Sequence, residues 1–222
     1  MVVELKYIAL NDALYRYLVH CRSAAEEPVL AELRAETDGL GPDISRMQIS
    51  PEQGTFLTIL TAACGVASAI EVGTFTGYSS LCIARGLAAD GRLLCLDQNR
   101  DWTNIAQKHW SKAGVRDRIE LRLGDAIAIL KDLDARAAFD LAFIDAEKTE
   151  YETYFELLLP RIRTNGLILL DNMLWGGRLG AGPISEPGGR AIDALNHKLA
   201  SDKRVQTVLL PIADGIQVCR KL

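Results

Sequence analysis

Two apolar runs end on acids. Phe139 to Asp145 (FDLAFID) and Gly166 to Asn172 (GLILLDN) are short stretches rich in β-branched and aromatic residues, each closing on an aspartate, as a buried parallel strand does when it delivers an acid to the carboxyl edge of a sheet. Open α/β sheets bind ligands at that edge. Asp145, Asp171 and Asn172 would meet there as two anionic and one neutral oxygen donors. Such a hard set suits Mg2+, or another divalent cation such as Mn2+ or Ca2+, and with no histidine or cysteine in it zinc is disfavoured. Lys148 stands three residues past the first acid. A cation beside it would repel its ammonium and leave a share of neutral amine as a general base, while acidifying a nearby phenol. Together these groups could make a phenolate. Each also has a plainer reading: Asp and Asn routinely end strands in turns, and Lys148 lies in the charged run AEKTEYE.

A second group of residues follows an earlier strand. In Glu71-Val72-Gly73-Thr74-Phe75-Thr76-Gly77-Tyr78-Ser79, Gly73 lets backbone approach a ligand and Gly77 eases helix packing. Phe75 stands where the dinucleotide fingerprint wants the glycine that admits a pyrophosphate, which counts against NAD and for a ligand without phosphates. Glu71 points the same way, since a carboxylate at a strand end repels pyrophosphate and can hold a cationic ligand. Asp97, 24 residues beyond Gly73, is placed to accept from ribose hydroxyls; Asn99 or Asp101 can cap the helix that follows it. Asp125 lies toward the adenine or is only the cap of its own helix. His20, His109 and His197 have no partner at ligand spacing. Trp175 lines a substrate pocket or simply packs.

The spacing of apolar residues supplies the elements that position these groups. Alternating strands and helices begin after Gly65: strands over 67–72, 92–97, 119–122, 139–145 and 166–171, with helices near 78–88, 102–113, 126–132 and 151–161. Trp175 to Gly189 holds six glycines and two prolines, which predicts a lid-like surface loop. A helix over 190–200 leads to strands over 205–210 and 216–220, whose short Asp214-Gly215 turn makes them antiparallel. Before this core, residues 1–48 read as a helical extension, with Asn11 capping one helix and Pro28 opening a second. Tyr15, Leu18 and Val19 give the first helix an apolar face that must dock on the active edge or on a second subunit. Ser50-Pro51-Glu52-Gln53 starts the next helix, with Gln53 able to complete a capping box.

The bounds are those of one domain spanning 1–222, the extension 1–48 followed by a catalytic core 49–222. Of the 222 residues 49% are apolar and the formal net charge is −4, so small molecules are better partners than nucleic acid or an anionic membrane. No apolar stretch reaches membrane-spanning length and no export signal opens the chain. The five scattered cysteines read as buried free thiols in a reducing, cytoplasmic compartment.

EVGTFTGYSS, LCLDQN, FIDAEKTEY, LLDNMLWGG and LPIADGIQVCRK together resemble the cation-dependent O-methyltransferases of the caffeoyl-CoA and catechol type, from about Met47 to the C-terminus. The resemblance implies a Rossmann-like seven-stranded α/β sheet, mostly parallel with an antiparallel C-terminal hairpin, and a homodimer. It implies that S-adenosylmethionine gives a methyl to one hydroxyl of a catechol whose two oxygens Mg2+ chelates. Carried over by residue, Asp145, Asp171 and Asn172 hold the metal, Lys148 is the base, and Lys148, Asn172 and Trp175 face the substrate. Glu71, Gly73, Thr74 and Ser79 lie at the methionine part of the cofactor, Asp97 at the ribose and Ala126 at the adenine, with Gln98 and Asp125 also binding the cofactor. Met47 to Ile49 closes over the methyl, and Asp145 touches cofactor as well as metal. The plant caffeoyl-CoA enzymes carry a longer basic insertion after the loop, whereas here Ser185 to Arg190 reaches the next helix quickly. A free catechol, flavonoid, hydroxycinnamate or catechol-bearing intermediate therefore fits better than a coenzyme A ester. The alternatives are an NAD-dependent oxidoreductase, disfavoured by Phe75 and Glu71, and an inactive dimeric binding protein, disfavoured by the intact donor set.

Overall fold

The computed structural model describes residues 7–23, 28–134, 138–180 and 182–222; the first six residues of the extension and Ala181 of the loop lie outside them. Seven strands, β1 (Ser68–Val72), β2 (Arg92–Asp97), β3 (Ile119–Leu123), β4 (Phe139–Ile144), β5 (Ile162–Leu170), β6 (Val205–Leu210) and β7 (Ile216–Lys221), form one sheet in the order β3-β2-β1-β4-β5-β7-β6. The first five pair in parallel, and β7 lies antiparallel between β5 and β6. The strand order reverses where β1 sits between β2 and β4, which opens a crevice at the carboxyl edge.

Alternation along each strand divides the core in two. Ile70, Val72, Ala142, Ile144, Ile168 and Leu170 pack with α8 (Tyr151–Leu158) and α9 (Pro187–Ser201). Ala69, Leu93, Leu141, Phe143 and Leu169 face the opposite way, onto α4 (Pro51–Ala63), α5 (Tyr78–Gly86) and α6 (Arg100–Lys112). Both faces are apolar, which is why β1, β4 and β5 read as continuous runs.

Two element starts differ most from the sequence reading. β5 begins at Ile162, four residues before Gly166, because the chain pairs with Phe139 across an irregularity in register before the regular ladder resumes at Leu167. α9 begins at Pro187 and takes in Gly188 and Gly189, which composition assigned to the loop. These glycines are helical for a packing reason: a Cβ at Gly188 would lie 2.8 Å from the Trp175 ring, and one at Gly189 2.5 Å from its Nε1.

The extension forms α1 (Asp12–His20), α2 (Pro28–Asp38) and a short α3 (Pro42–Ser45) where only punctuation was expected. Asn11 caps α1 by accepting the Leu14 N–H at 2.9 Å. α2 docks on α6, burying Leu33 and Thr37, with Glu36 paired to Lys108 and to buried His109. The Thr37 hydroxyl meets that of Thr76 at 2.9 Å, so the extension reaches the glycine turn. α1 buries none of its residues; Tyr15 donates to Glu52 on α4 at 2.7 Å.

Candidate active site

The sheet carries its ladder one residue past β4 and β5. Ile144 pairs with Leu170, the Asp145 N–H donates to Val72 O at 2.8 Å, and the Asp171 N–H donates to Ile144 O at 3.0 Å. The two acids therefore emerge side by side. Asp171 is 2% exposed, and its carboxyl is pushed up to about 7 first by burial and then by the charge of Asp145. Asn172 follows in the left-handed region, φ +57°, where asparagine is among the few tolerated side chains, and its N–H donates to Asp171 Oδ1 at 2.7 Å.

This donor set fits a hard divalent cation. A buried carboxyl whose ionisation is opposed by burial and by the neighbouring Asp145 charge gains most from a cation, and an amide oxygen stands next in the chain. Among the described residues no group of three His, Cys, Asp or Glu side chains could hold a metal; a cation here would rest on two acids and an amide. His109 is held by Glu36, and His20 and His197 are exposed, so none joins the site.

Lys148 Nζ donates to Asp145 Oδ1 and to the Tyr151 hydroxyl, both at 2.7 Å. Tyr151 is 1% exposed. Burial, then the charges of Asp145 and Asp171, hold its phenol well above the ordinary tyrosine value, so it stays protonated. The sequence reading missed it. A tyrosine heading an amphipathic helix reads as core, and the signal was its position three residues after Lys148, across a single 3-10 turn whose i and i+3 side chains eclipse.

Gln53 was missed in a different way. Ser50 accepts the Gln53 N–H at 3.4 Å, as a cap does, but the glutamine side chain does not complete the capping box. It is 1% exposed and turns inward, where its amide favours the charged form of Asp171 while its nitrogen closes no hydrogen bond within 3.5 Å.

Met47, Ile49, Gly73, Thr74, Ser79 and Asp145 line one crevice beside the acids. Gly73, φ +90°, is needed there because a Cβ would stand 1.9 Å from Asp145 O, where the ends of β1 and β4 converge. Glu71 lies behind this wall with no exposed surface. It accepts from Ser79 Oγ at 2.6 Å and Cys95 Sγ at 3.3 Å, and burial pushes its carboxyl up to about 8. Asp97 binds the turn itself: one oxygen accepts the Thr74 and Phe75 N–H groups at 2.9 and 2.8 Å, the other that of Asn99 at 2.7 Å. A carboxylate has lone pairs to spare for hydroxyls beyond these. Asn99 is the cap of α6. Gln98 is exposed. Asp125 caps α7 (Ala126–Asp132), so its capping role is real, and Gly124 N–H to Asp97 O at 2.9 Å brings Asp125 and Ala126 next to Asp97.

Trp175 does pack. Its ring lies against Gly188, which in turn stands close enough to Lys148 that a Cβ on it would sit 3.5 Å from the lysine Cβ. The loop that starts there is tied to the β6–β7 turn, since Asp214 accepts from Gly176 N–H at 2.6 Å. Of the five cysteines, all free, Cys82, Cys95 and Cys219 are buried; Cys21 and Cys64 are exposed, against the expectation of burial. No helix among the described residues is long and apolar enough to cross a membrane.

A sheet of this order with one reversed strand near its end, carrying at the switch point a glycine turn with Phe75 in place of the pyrophosphate-admitting glycine, is the architecture of the Rossmann-like methyltransferases. Comparison with known proteins narrows it. A family model described as O-methyltransferase matches residues 20–222. Tricin synthase 1 of Oryza sativa subsp. japonica is 37% identical over 231 residues, covering 98% of this chain and 91% of its own. Caffeoyl-CoA O-methyltransferase of Eucalyptus gunnii is 35% identical over 228 residues, covering 98% and 90%. An O-methyltransferase from Bacillus cereus, solved in complex with SAH, superposes with a TM-score of 0.85 at 28% identity, covering 95% and 97%. The chain belongs to the O-methyltransferase family, enzymes that transfer a methyl group from S-adenosylmethionine to oxygen. The oxidoreductase alternative falls with that assignment.

Proposed function

We propose that this enzyme methylates one hydroxyl of a small catechol, with a divalent cation, Mg2+ foremost, held by Asp145, Asp171 and Asn172. The observation that carries this reading is the pair of adjoining carboxylates, one buried, at the ends of β4 and β5. When bound, the cation would supply Lewis acidity that lowers the cost of the phenolate. Lys148 takes the proton of the reacting hydroxyl, and Asp145 and Tyr151 hold its amine in place. Gly73, Thr74 and Ser79 cradle the methionine part of S-adenosylmethionine, with Glu71 buttressing Ser79 from behind. Asp97, with Gln98, receives the ribose hydroxyls, and Asp125 and Ala126 border the adenine. Met47 and Ile49 cover the methyl. Alignment of donor and acceptor supplies much of the rate.

The connection from Trp175 to α9 is short, since the helix already begins at Pro187; that favours a free catechol, flavonoid or hydroxycinnamate over a coenzyme A ester, with Trp175 on the acceptor side. The chain acts as one domain and as a homodimer through the apolar face of α1, in a cytoplasm whose reducing poise suits its free thiols. The test is turnover of catechol with S-adenosylmethionine and Mg2+, with and without EDTA. Product forms in the first sample and falls at least about 100-fold in the second; equal rates would remove the cation from the account.

A further inference from the structure

Asp145, Lys148 and Tyr151 follow one another at intervals of three, and the lysine amine stands between the other two at 2.7 Å from each. We propose that Tyr151 is a positioning residue, its hydroxyl fixing the direction from which the Lys148 amine meets the acceptor. The inference rests on the reading of Lys148 as the base. A neutral amine has two N–H bonds and one lone pair in a tetrahedral arrangement. With one N–H donated to Asp145 Oδ1 and the other to Tyr151 Oη, the lone pair is left for the remaining direction. In the step itself the acceptor O–H bond breaks, its proton joins the nitrogen lone pair to give an ammonium, and the O–H electron pair stays on oxygen as the phenolate. The two oxygens that held the amine then accept from the ammonium.

Of the two supports, only Tyr151 is independent of what else the site binds. Asp145 is asked to serve a cation as well, and a cation draws the same carboxylate away from Lys148. Tyr151 answers to the fold: its ring lies in the core with Ile144, Leu170 and Tyr154, so its hydroxyl cannot follow a ligand. A phenylalanine would fill the same space, and a hydroxyl buried at this depth is costly unless it serves a partner; its partners are the Ala146 backbone, which anchors it to the end of β4, and the Lys148 amine, the one of the two that faces the site.

The test compares Tyr151→Phe and Lys148→Ala with wild type on two acceptors. Catechol needs a base. 4-Nitrocatechol, acidified by its nitro group, is largely ionised before it binds and so bypasses one. Tyr151→Phe is expected to lose about 10- to 100-fold in kcat on catechol, with a loss about tenfold smaller on nitrocatechol, and to leave KM for S-adenosylmethionine and Mn2+ affinity by calorimetry unchanged. Lys148→Ala should show the same split with a larger loss. Equal losses of Tyr151→Phe on both acceptors, or altered Mn2+ affinity and unfolding midpoint, would make the hydroxyl a structural bond and overturn the inference. So would a kcat on catechol within about twofold of wild type. If Lys148→Ala itself turns over catechol at the wild-type rate, the base assignment fails; if only Tyr151→Phe is silent, the positioning inference fails alone.

Discussion

Burying Glu71 between Ser79 and Cys95 leaves a carboxyl that keeps its proton near neutral pH, and this has a consequence for stability. Its folded value, about 8, lies above the ordinary 4.5. Below pH 4.5 the group is protonated in both states and its contribution is fully present. As pH rises toward 8 the unfolded chain releases the proton while the folded chain retains it, so stability is lost across that window. Glu71→Gln removes the titration. Urea unfolding at pH 5 and pH 8 should show the difference between wild type and variant shifting in the variant's favour at pH 8, by on the order of a few kcal/mol. A difference unchanged between the two pH values would mean that Glu71 ionises as an exposed acid does. The sequence reads Glu71 as a strand-end carboxylate facing a cationic ligand and does not show that it is buried behind the crevice wall: in a strand buried on both faces, residue type carries no sign of which side is wet. That Asp145 and Asp171 emerge side by side was legible because an apolar run that ends on an acid has a fixed geometric meaning.

Elements with local punctuation were read well, and those shaped by distant packing were not. α4, α6 and α7 begin at Ser50, Asn99 and Asp125 caps that the sequence displays. α9 opens three residues earlier than its composition suggests because the Trp175 ring demands glycines in its first turn. Gln53 followed the letter of a capping box but is drawn to Asp171, just past a strand more than a hundred residues away. α1 poses the remaining question at this scale. Tyr17 and Leu18, with Tyr7, Ile8 and Leu10 before them, are exposed, and an apolar helix face is stable in water chiefly when covered. A second copy of the chain is the proposed cover. Sedimentation should give twice the chain mass, and Leu18→Glu should shift the protein toward monomer; a wild-type protein that sediments as a monomer at micromolar concentration would leave the face without that partner.

At the scale of the molecule, the topology followed from two readable facts: strands and helices alternate through β5, and a turn too short for a crossover joins the last two strands. Contacts that knit the extension to the core, Thr37 to Thr76 and Glu36 to His109, had no local signal, since each joins residues far apart in the chain. The sheet's order brings β1, β4 and β5 side by side, so the glycine turn, the first acid and the second acid share one edge. The central claim is that the last two of these, with Asn172, hold one cation. Calorimetric titration of the metal-free protein with Mn2+, beside Asp145→Ala, Asp171→Ala and Asn172→Ala, tests it most directly. The account predicts one ion per chain for wild type and at least about a tenfold weaker affinity in each variant; three variants that bind Mn2+ as tightly as wild type would contradict it.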